Sequence, residues 1–221
     1  CLMSSSASNT LHWSNSTVEV HKVVVGDYDN NVFVVRCHQT GEALLIDAAN
    51  EHERLLEMCQ RLGVTRVLET HGHFDHIQAI PAMREAGYHV AVTELDAPML
   101  VEKGYDGFIE HDEMIEIGQL RIQAIHNPGH TPGSQCFLVN GCLISGDTLF
   151  LDGCGRTDFP GSDPELMYHS LQTLNSLPDQ TVIYPGHRYS QNAYEPLSEV
   201  RQHNFVLKPM NKDQWTSIFA G

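Results

Sequence analysis

Thr70-His71-Gly72-His73-Phe74-Asp75-His76 is the stretch on which the reading of this chain turns. His71, His73, Asp75 and His76 are strong metal ligands, set two apart and then side by side. Upstream, Val64–Glu69 is β-branched and apolar and reads as a short strand. Downstream, Ile77–Ala86 carries helical spacing and is stopped by Gly87. The ligands therefore belong on a strand-to-helix loop, an anchored place from which several side chains can aim at one point. Imidazole and carboxylate together suit a first-row divalent metal such as zinc or iron.

Working outward, the 221 residues are 41% hydrophobic, enough to bury a full core in one large domain. The formal charge is −15 and is spread along the chain. Phosphate recognition needs a basic groove, so this charge argues against nucleic acid and against an anionic membrane surface. No apolar run approaches the roughly 20 residues that span a bilayer. Cys1, Cys37, Cys59, Cys136, Cys142 and Cys154 form no C-x-x-C pair, so reduced thiols and a cytoplasmic protein are expected. Residues 1–16 are Ser/Asn-rich and are expected to form a flexible segment, foreign to the native chain ahead of Met3. A single domain is expected over 17–221.

Strands are predicted at Val18–Val25, Asn31–Cys37 and Ala43–Ile46, followed by a helix at Asn50–Leu62 closed by Gly63. After the His-rich loop come a strand at His89–Val92 and an acidic segment, Thr93–Gly118. Tyr105 and Phe108 of that segment are expected to wall a pocket. A second run of strands covers Leu120–Ile125, Cys136–Val139 and Leu143–Ile144. A helix at Pro164–Leu174, a strand at Thr181–Tyr184 and a helix at Ala193–His203 follow. Strand runs with interspersed helices, occurring twice, predict two β-rich halves packed face to face with helices outside.

Three further places repeat the combination of strand end, tight turn and ligand. They are His130 in Asn127-Pro128-Gly129-His130-Thr131-Pro132-Gly133-Ser134, Asp147 in Ser145-Gly146-Asp147-Thr148, and His187 in Tyr184-Pro185-Gly186-His187. The other histidines, His21, His89 and His126 among them, lack this context and are assigned to surface or core. Seven ligands fit two adjacent metals: His71, His73 and His130 on one, Asp75, His76 and His187 on the other, and Asp147 reaching both. Two cations roughly 3.5–4 Å apart can hold a hydroxide between them and stabilise an oxyanion. Asp47, at its own strand end, is the candidate to orient an imidazole from behind.

This ligand series resembles that of the metallo-β-lactamase superfamily, and the resemblance spans nearly the whole chain. It implies an α/β sandwich of αββα type: two mixed sheets with helices on the outer faces and metals at one edge. Asp147 in the bridging position argues against the zinc β-lactamases, which lack that aspartate. Gly129–Ser134, Gly146-Asp147-Thr148-Leu149-Phe150 and Gly153-Cys154-Gly155-Arg156 look like glyoxalase II, the hydroxyacylglutathione hydrolase. That branch implies two divalent ions, with zinc expected and iron or a zinc–iron mixture as alternatives. It further implies a metal-bound hydroxide cleaving a small-molecule thioester, with Asp75 and Asp147 catalytic and with Arg156 and Tyr189 binding substrate. Glyoxalase II also carries a helical C-terminal domain with basic residues; here only Arg201, Lys208 and Lys212 stand in the corresponding region. Gly155-Arg156-Thr157-Asp158-Phe159 is similar instead to the persulfide dioxygenases, which use one iron on the equivalents of His71, His130 and Asp147. Cys154 is expected beside the pocket as a small residue packed in a Gly-rich loop, with oxidation in such a site as the alternative. A metal-stabilised binding protein without turnover is the third reading, and oligomeric state is left open.

Overall fold

The alternation of apolar residues along the strands dictates a two-sided core. In Asn30–Cys37, Val32 and Val34 point to one face while Phe33 and Val35 point to the other, and all four are buried. A strand buried on both faces must lie between two layers. The computed structural model describes residues 10–219 and contains two such sheets. The first runs in sequential order through β1 (Leu11–Ser14), β2 (Val18–Val25), β3 (Asn30–Cys37), β4 (Ala43–Ile46), β5 (Val64–Leu68), β6 (His89–Val92) and β7 (Gly107–Phe108). The second is ordered β13-β12-β11-β10-β9-β8, from β8 (Met114–Ile117), β9 (Leu120–His126), β10 (Gln135–Val139), β11 (Cys142–Gly146), β12 (Val182–Pro185) and β13 (Glu195–Pro196). Both sheets are mixed: β4 to β7 run parallel, as do β11 and β12, and the other pairs are antiparallel.

Phe33, Leu44, Ile46 and Leu68 from one sheet meet Phe137, Ile144 and Tyr184 from the other in the central layer. Full burial of such a side chain contributes roughly 1.5–3 kcal/mol. Helices α1 (His52–Leu62) and α2 (Ile80–Glu85) cover the outer face of the first sheet through Leu55, Met58, Ile80 and Met83. Helices α3 (Pro164–Asn175), α4 (Leu197–His203) and α5 (Lys212–Phe219) cover the second through Met167, Leu171, Val200 and Trp215. Asp163 caps α3 by accepting from the Glu165 and Leu166 amides, with Pro164 filling the first turn. The expected αββα sandwich is the fold observed.

Three expectations change. Residues 1–9 lie outside the described residues, but Leu11–Ser14 is an edge strand paired with β2, so the segment expected to be flexible over 1–16 is ordered in its second part. The helix expected over Ala193–His203 begins only at Leu197, because Glu195 and Pro196 pair with β12; the residue before proline is held extended. Helix α5 was not foreseen: it rests on Trp215, which stacks on Phe219 one turn later and is buried. That isolated i, i+4 pair is too short a pattern to read as a helix.

Among the described residues, no helix is long and apolar enough to cross a membrane.

Candidate metal centre

All seven predicted ligands converge at one edge of the sandwich. His71, His73, Asp75 and His76 follow β5, with Phe74–His76 forming a 3₁₀ turn. His130 lies between β9 and β10, Asp147 follows β11 and His187 follows β12. These loops leave the strand ends at which parallel neighbours β4/β5 and β11/β12 terminate together, so ligands far apart in sequence meet. The two sheets are joined there. Asn31 donates from its amide to the Gly186 carbonyl at 2.9 Å and from Nδ2 to the Pro185 carbonyl at 3.0 Å.

The side chains form two adjacent groups, His71/His73/His130 and Asp75/His76/Asp147/His187, each with donor atoms within 4.8 Å of one another. Asp147 Oδ2 stands between them. It lies 3.3 Å from His76 Nε2 and 3.4 Å from His187 Nε2, and 3.6 and 3.8 Å from Nε2 of His130 and His71. His73 approaches through Nδ1, 2.9 Å from His130 Nε2.

Each of the other four imidazoles is fixed from behind, in the manner of ligands held by an outer hydrogen bond. His130 Nδ1 donates to the Arg156 carbonyl at 2.8 Å, and His187 Nδ1 to the Tyr28 carbonyl at 3.1 Å. His76 Nδ1 donates to Asp47 Oδ2 at 2.8 Å. Thr70 Oγ1 gives its proton to Asp47 Oδ2 at 2.7 Å, so it accepts from His71 Nδ1 at 3.0 Å. Every one of these contacts leaves Nε2 as the atom that faces the cluster. Asp47 thus performs the orienting role expected of it, helped by a left-handed backbone (φ 68°) that an aspartate tolerates.

Buried His71 Nε2, His76 Nε2 and Asp147 Oδ1 have no hydrogen-bond partner. Orphaned buried polar atoms are costly, and here they are Lewis bases aimed at a common space. The donor set therefore fits divalent metal ions.

Protonation follows the same division. Burial, with the nearby His76 charge, holds His71 well below the ordinary histidine value; burial, with His130, brings His73 down to about 4. Burial opposes charge on His187, but the hydrogen bonds it donates to Asp147 and Asp75 outweigh it and raise the group to about 9. For His76, burial is likewise outweighed, by the nearby Asp147 carboxylate and by the hydrogen bond to Asp47, and the group lies well above its usual value. Burial would raise Asp75, yet the His187 hydrogen bond, the His76 charge and the Asn30 hydrogen bond lower it to about 2.

The cluster forms the floor of a cavity of about 830 Å³, whose lining includes Arg156, Tyr189 and Cys154. Burial pushes the Cys154 thiol up to about 12, so it is not a thiolate at neutral pH and lacks the reactivity that oxidation favours. Tyr105 and Phe108 do not line this cavity, contrary to expectation. Tyr105 packs on the core outside the first sheet, and Met99 is the residue of that segment that reaches the cavity. His21 is buried, bonded to Thr10 and Glu19, and His126 bonds to the Pro132 carbonyl, in keeping with their assignment away from the site.

Asp96 was not singled out from the sequence and carries much of the support. Buried, it accepts from the Gly72 amide (2.9 Å), the Gly133 amide (2.7 Å) and Thr131 Oγ1 (2.7 Å), binding the first ligand loop to the His130 loop. A Cβ on Gly133 would collide with Thr93 Oγ1 and the Asp96 carboxylate, so glycine is required there. Asn30, which donates to Asp75 Oδ2 at 3.0 Å, was also missed. So was Glu69, buried beside Asp47, whose carboxyl is pushed well above the ordinary range by burial and by that neighbouring charge. A single Asp or Asn outside a turn motif gives no sequence signal.

The Metallo-beta-lactamase superfamily model matches residues 25–187. A hydroxyacylglutathione hydrolase of Rhodospirillum rubrum is 36% identical over 181 residues, which are 80% of this chain and 68% of that one. The probable polyketide biosynthesis zinc-dependent hydrolase BaeB of Bacillus velezensis is 26% identical over 91% of this chain and 93% of its own. The crystal structure of ETHE1 from Myxococcus xanthus superposes with a TM-score of 0.80 at 28% identity, covering 91% of this chain and 90% of that one.

Asp96→Ala strands the two amides and the hydroxyl it serves. A loss of about 2–4 kcal/mol is expected from unmade buried hydrogen bonds, read as a lowered urea midpoint together with weaker metal retention. Metal loading should also depend on pH. A ligand imidazole must be neutral, and His187 in the metal-free protein holds its proton up to about 9. Zinc affinity by chelator competition is therefore expected to climb through pH 7–9 and level off above. In the metal-free protein the sign is opposite: the stability contributed by His187 is complete below pH 6.5 and is lost as pH rises through about 9.

Proposed function

The chain belongs to the metallo-beta-lactamase superfamily, and on that premise we propose that it is a dinuclear metallo-hydrolase cleaving a small-molecule thioester. The observation that carries this reading is the position of Asp147 Oδ2 within 3.3–3.8 Å of imidazoles from both ligand groups. A carboxylate so placed, with three donors on either side, suits a pair of ions better than one. His71, His73 and His130 would hold the first and Asp75, His76 and His187 the second, with Asp147 shared. Zinc is the favoured metal, supported by the zinc-dependent hydrolase named among the relatives. When bound, the ions supply Lewis acidity and lower the pKa of water to about 7.

The remaining work falls to side chains. Asp75 is anionic at neutral pH and its Oδ2 is held by Asn30 Nδ2, so the carboxylate can orient an attacking water and accept its proton. Asp47 and Thr70 keep His76 and His71 in one tautomer through the cycle. Tyr28 and Phe74 pack edge to face in the cavity lining, 5.3 Å between centroids, and offer apolar surface beside the reacting bond. Arg156 and Tyr189, also at the cavity, contact the substrate. The hydroxyacylglutathione hydrolase and the zinc-dependent hydrolase of polyketide biosynthesis among the relatives both support hydrolysis.

A second reading is kept by one observation, the ETHE1 neighbour: iron-dependent oxidation of glutathione persulfide at a mononuclear site on His71, His130 and Asp147. Metal content of protein purified without added metal or a His-tag separates the two. About two equivalents with zinc present, and thioester turnover without oxygen uptake, are expected; about one equivalent of iron with oxygen uptake on glutathione persulfide would replace the hydrolase. Asp147→Asn should retain the fold and lower thioester turnover by at least about two orders of magnitude, the scale of lost charge stabilisation. Turnover at the wild-type rate in that variant would refute the site.

A further inference from the structure

The charges that line the cavity are arranged by depth. At the floor stand the ligands; loaded with two divalent ions they would carry net positive charge, since Asp75 and Asp147 are the carboxylates among them. Apart from that cluster, the charged residues of the lining are Arg156 and Asp152. Arg156 is answered by Asp158, Nε to Oδ1 at 2.9 Å and Nη2 to Oδ2 at 2.7 Å. Asp152 is exposed, and its carboxylate has no hydrogen bond and no ion pair among the described residues. The wall therefore offers one unanswered charge, and it is negative.

The fold holds that carboxylate in place. Asp152 sits in a tight hairpin over residues 150–153, closed by the isolated bridge between Leu149 and Cys154. Gly153 turns it with φ 84°, in the left-handed region that favours glycine. Fully buried Asn204 pins the turn from below. It accepts from the Gly153 amide at 3.0 Å and donates Nδ2 to the carbonyls of Phe150 and Gly153, each at 3.0 Å. Phe150, on the same hairpin, meets Tyr189 edge on at 4.9 Å. Tyr189 stacks one face on His187 yet remains 63% exposed, so its other face is open, and it lines the same cavity. A carboxylate and an open phenol face on one wall suit an ammonium group, which gains an ion pair from the first and attraction to the ring quadrupole from the second.

Resting on the thioester-hydrolase reading, we propose that Asp152 binds an ammonium group of the substrate, with the Tyr189 ring beside it. The thioester lies toward the positive floor and the cation toward the negative wall, so the two ends of the cavity fix which way the substrate enters. Asp152 sets specificity by direct contact and has no part in bond cleavage. The ammonium group is common to two sources: the thiol carrier, as at the γ-glutamyl end of glutathione, and the acyl group.

The test uses metal-replete protein and two matched pairs of thioesters. In the carrier pair, a butyryl group is joined to glutathione or to glutathione acetylated on its amine. In the acyl pair, N-acetylcysteamine carries a trimethylammonio-butyryl group or the uncharged isostere with carbon in place of nitrogen. At least one pair should favour its cationic member about fivefold in kcat/KM, the scale of an exposed ion pair, and that pair identifies the source of the ammonium group. Asp152→Asn should abolish the preference by lowering kcat/KM for the cationic member. Equal turnover within both pairs, or a preference that survives in Asp152→Asn, would overturn the proposal. Calorimetric binding of the corresponding inert thioethers, with the carbonyl replaced by methylene, reads the same ratios without turnover. If no thioester is cleaved, the hydrolase reading falls and the binding ratios alone decide: a cationic preference lost in Asp152→Asn upholds the ammonium subsite, and equal binding within both pairs refutes it.

Discussion

Burying so many ionisable side chains at one edge of a β-sandwich is tolerable only because each is answered by another. Asp47, Asp75, Asp147, His76 and His187 all sit in or near the interior, and an isolated charge there would be expelled or neutralised. Asp147 is kept ionised, well below the ordinary carboxylate range, because the His76 charge and the His187 and His76 hydrogen bonds overcome its burial. The raised histidines are the counterpart of the lowered aspartates. Divalent ions would exchange for those protons and satisfy the orphaned lone pairs at the same time, so folding and metal loading draw on one set of contacts.

That dependence explains where the structure is stiff. The ligands do not reach in from long loops. Asp147 and His187 sit within two residues of the ends of β11 and β12, where the sheet ladder has already set the backbone direction, and the other five ligands lie three to eight residues beyond β5 and β9. What the ladders leave undetermined is how the loops stand relative to one another, and this is settled by groups outside the ligand set. Asp96 ties the first ligand loop to the His130 loop, and Asn31 ties β3 to the end of β12. A Cβ at Gly155 would collide with the Asp147 carbonyl and crowd the His130 ring, so the Gly-rich loop can close over the site only as glycine.

This division accounts for what was legible in the sequence. His-x-His-x-Asp-His, and the three strand-end turns bearing His130, Asp147 and His187, are local patterns whose spacing encodes their chemistry, and the strands between them alternate plainly. The sandwich and the ligand groups could therefore be read directly. Asp96, Asn30 and Glu69 act through partners 21 to 45 residues away in sequence. A lone acidic or amide residue carries no trace of such a partner. Tyr105 and Phe108 were misplaced for a related reason: aromaticity marks a surface as apolar without saying which cavity it faces. Helix α5 escaped notice because tertiary contact around Trp215 organises it, not a periodic face.

The same division bears on why a shared fold does not decide a reaction. The floor is built from the loops at strand ends, in a fold that ETHE1 shares at a TM-score of 0.80. The walls are built from loops, which can change residue by residue without disturbing the ladders beneath them. Arg156 illustrates the consequence. Its backbone carbonyl fixes the His130 imidazole and so belongs to the floor, while its side chain, paired with Asp158 over Phe159, belongs to the wall. The carbonyl's task is indifferent to what the guanidinium binds. A carrier preference can therefore drift at this position while the metal geometry stays in place, and family likeness at the floor is weak guidance to the substrate above it.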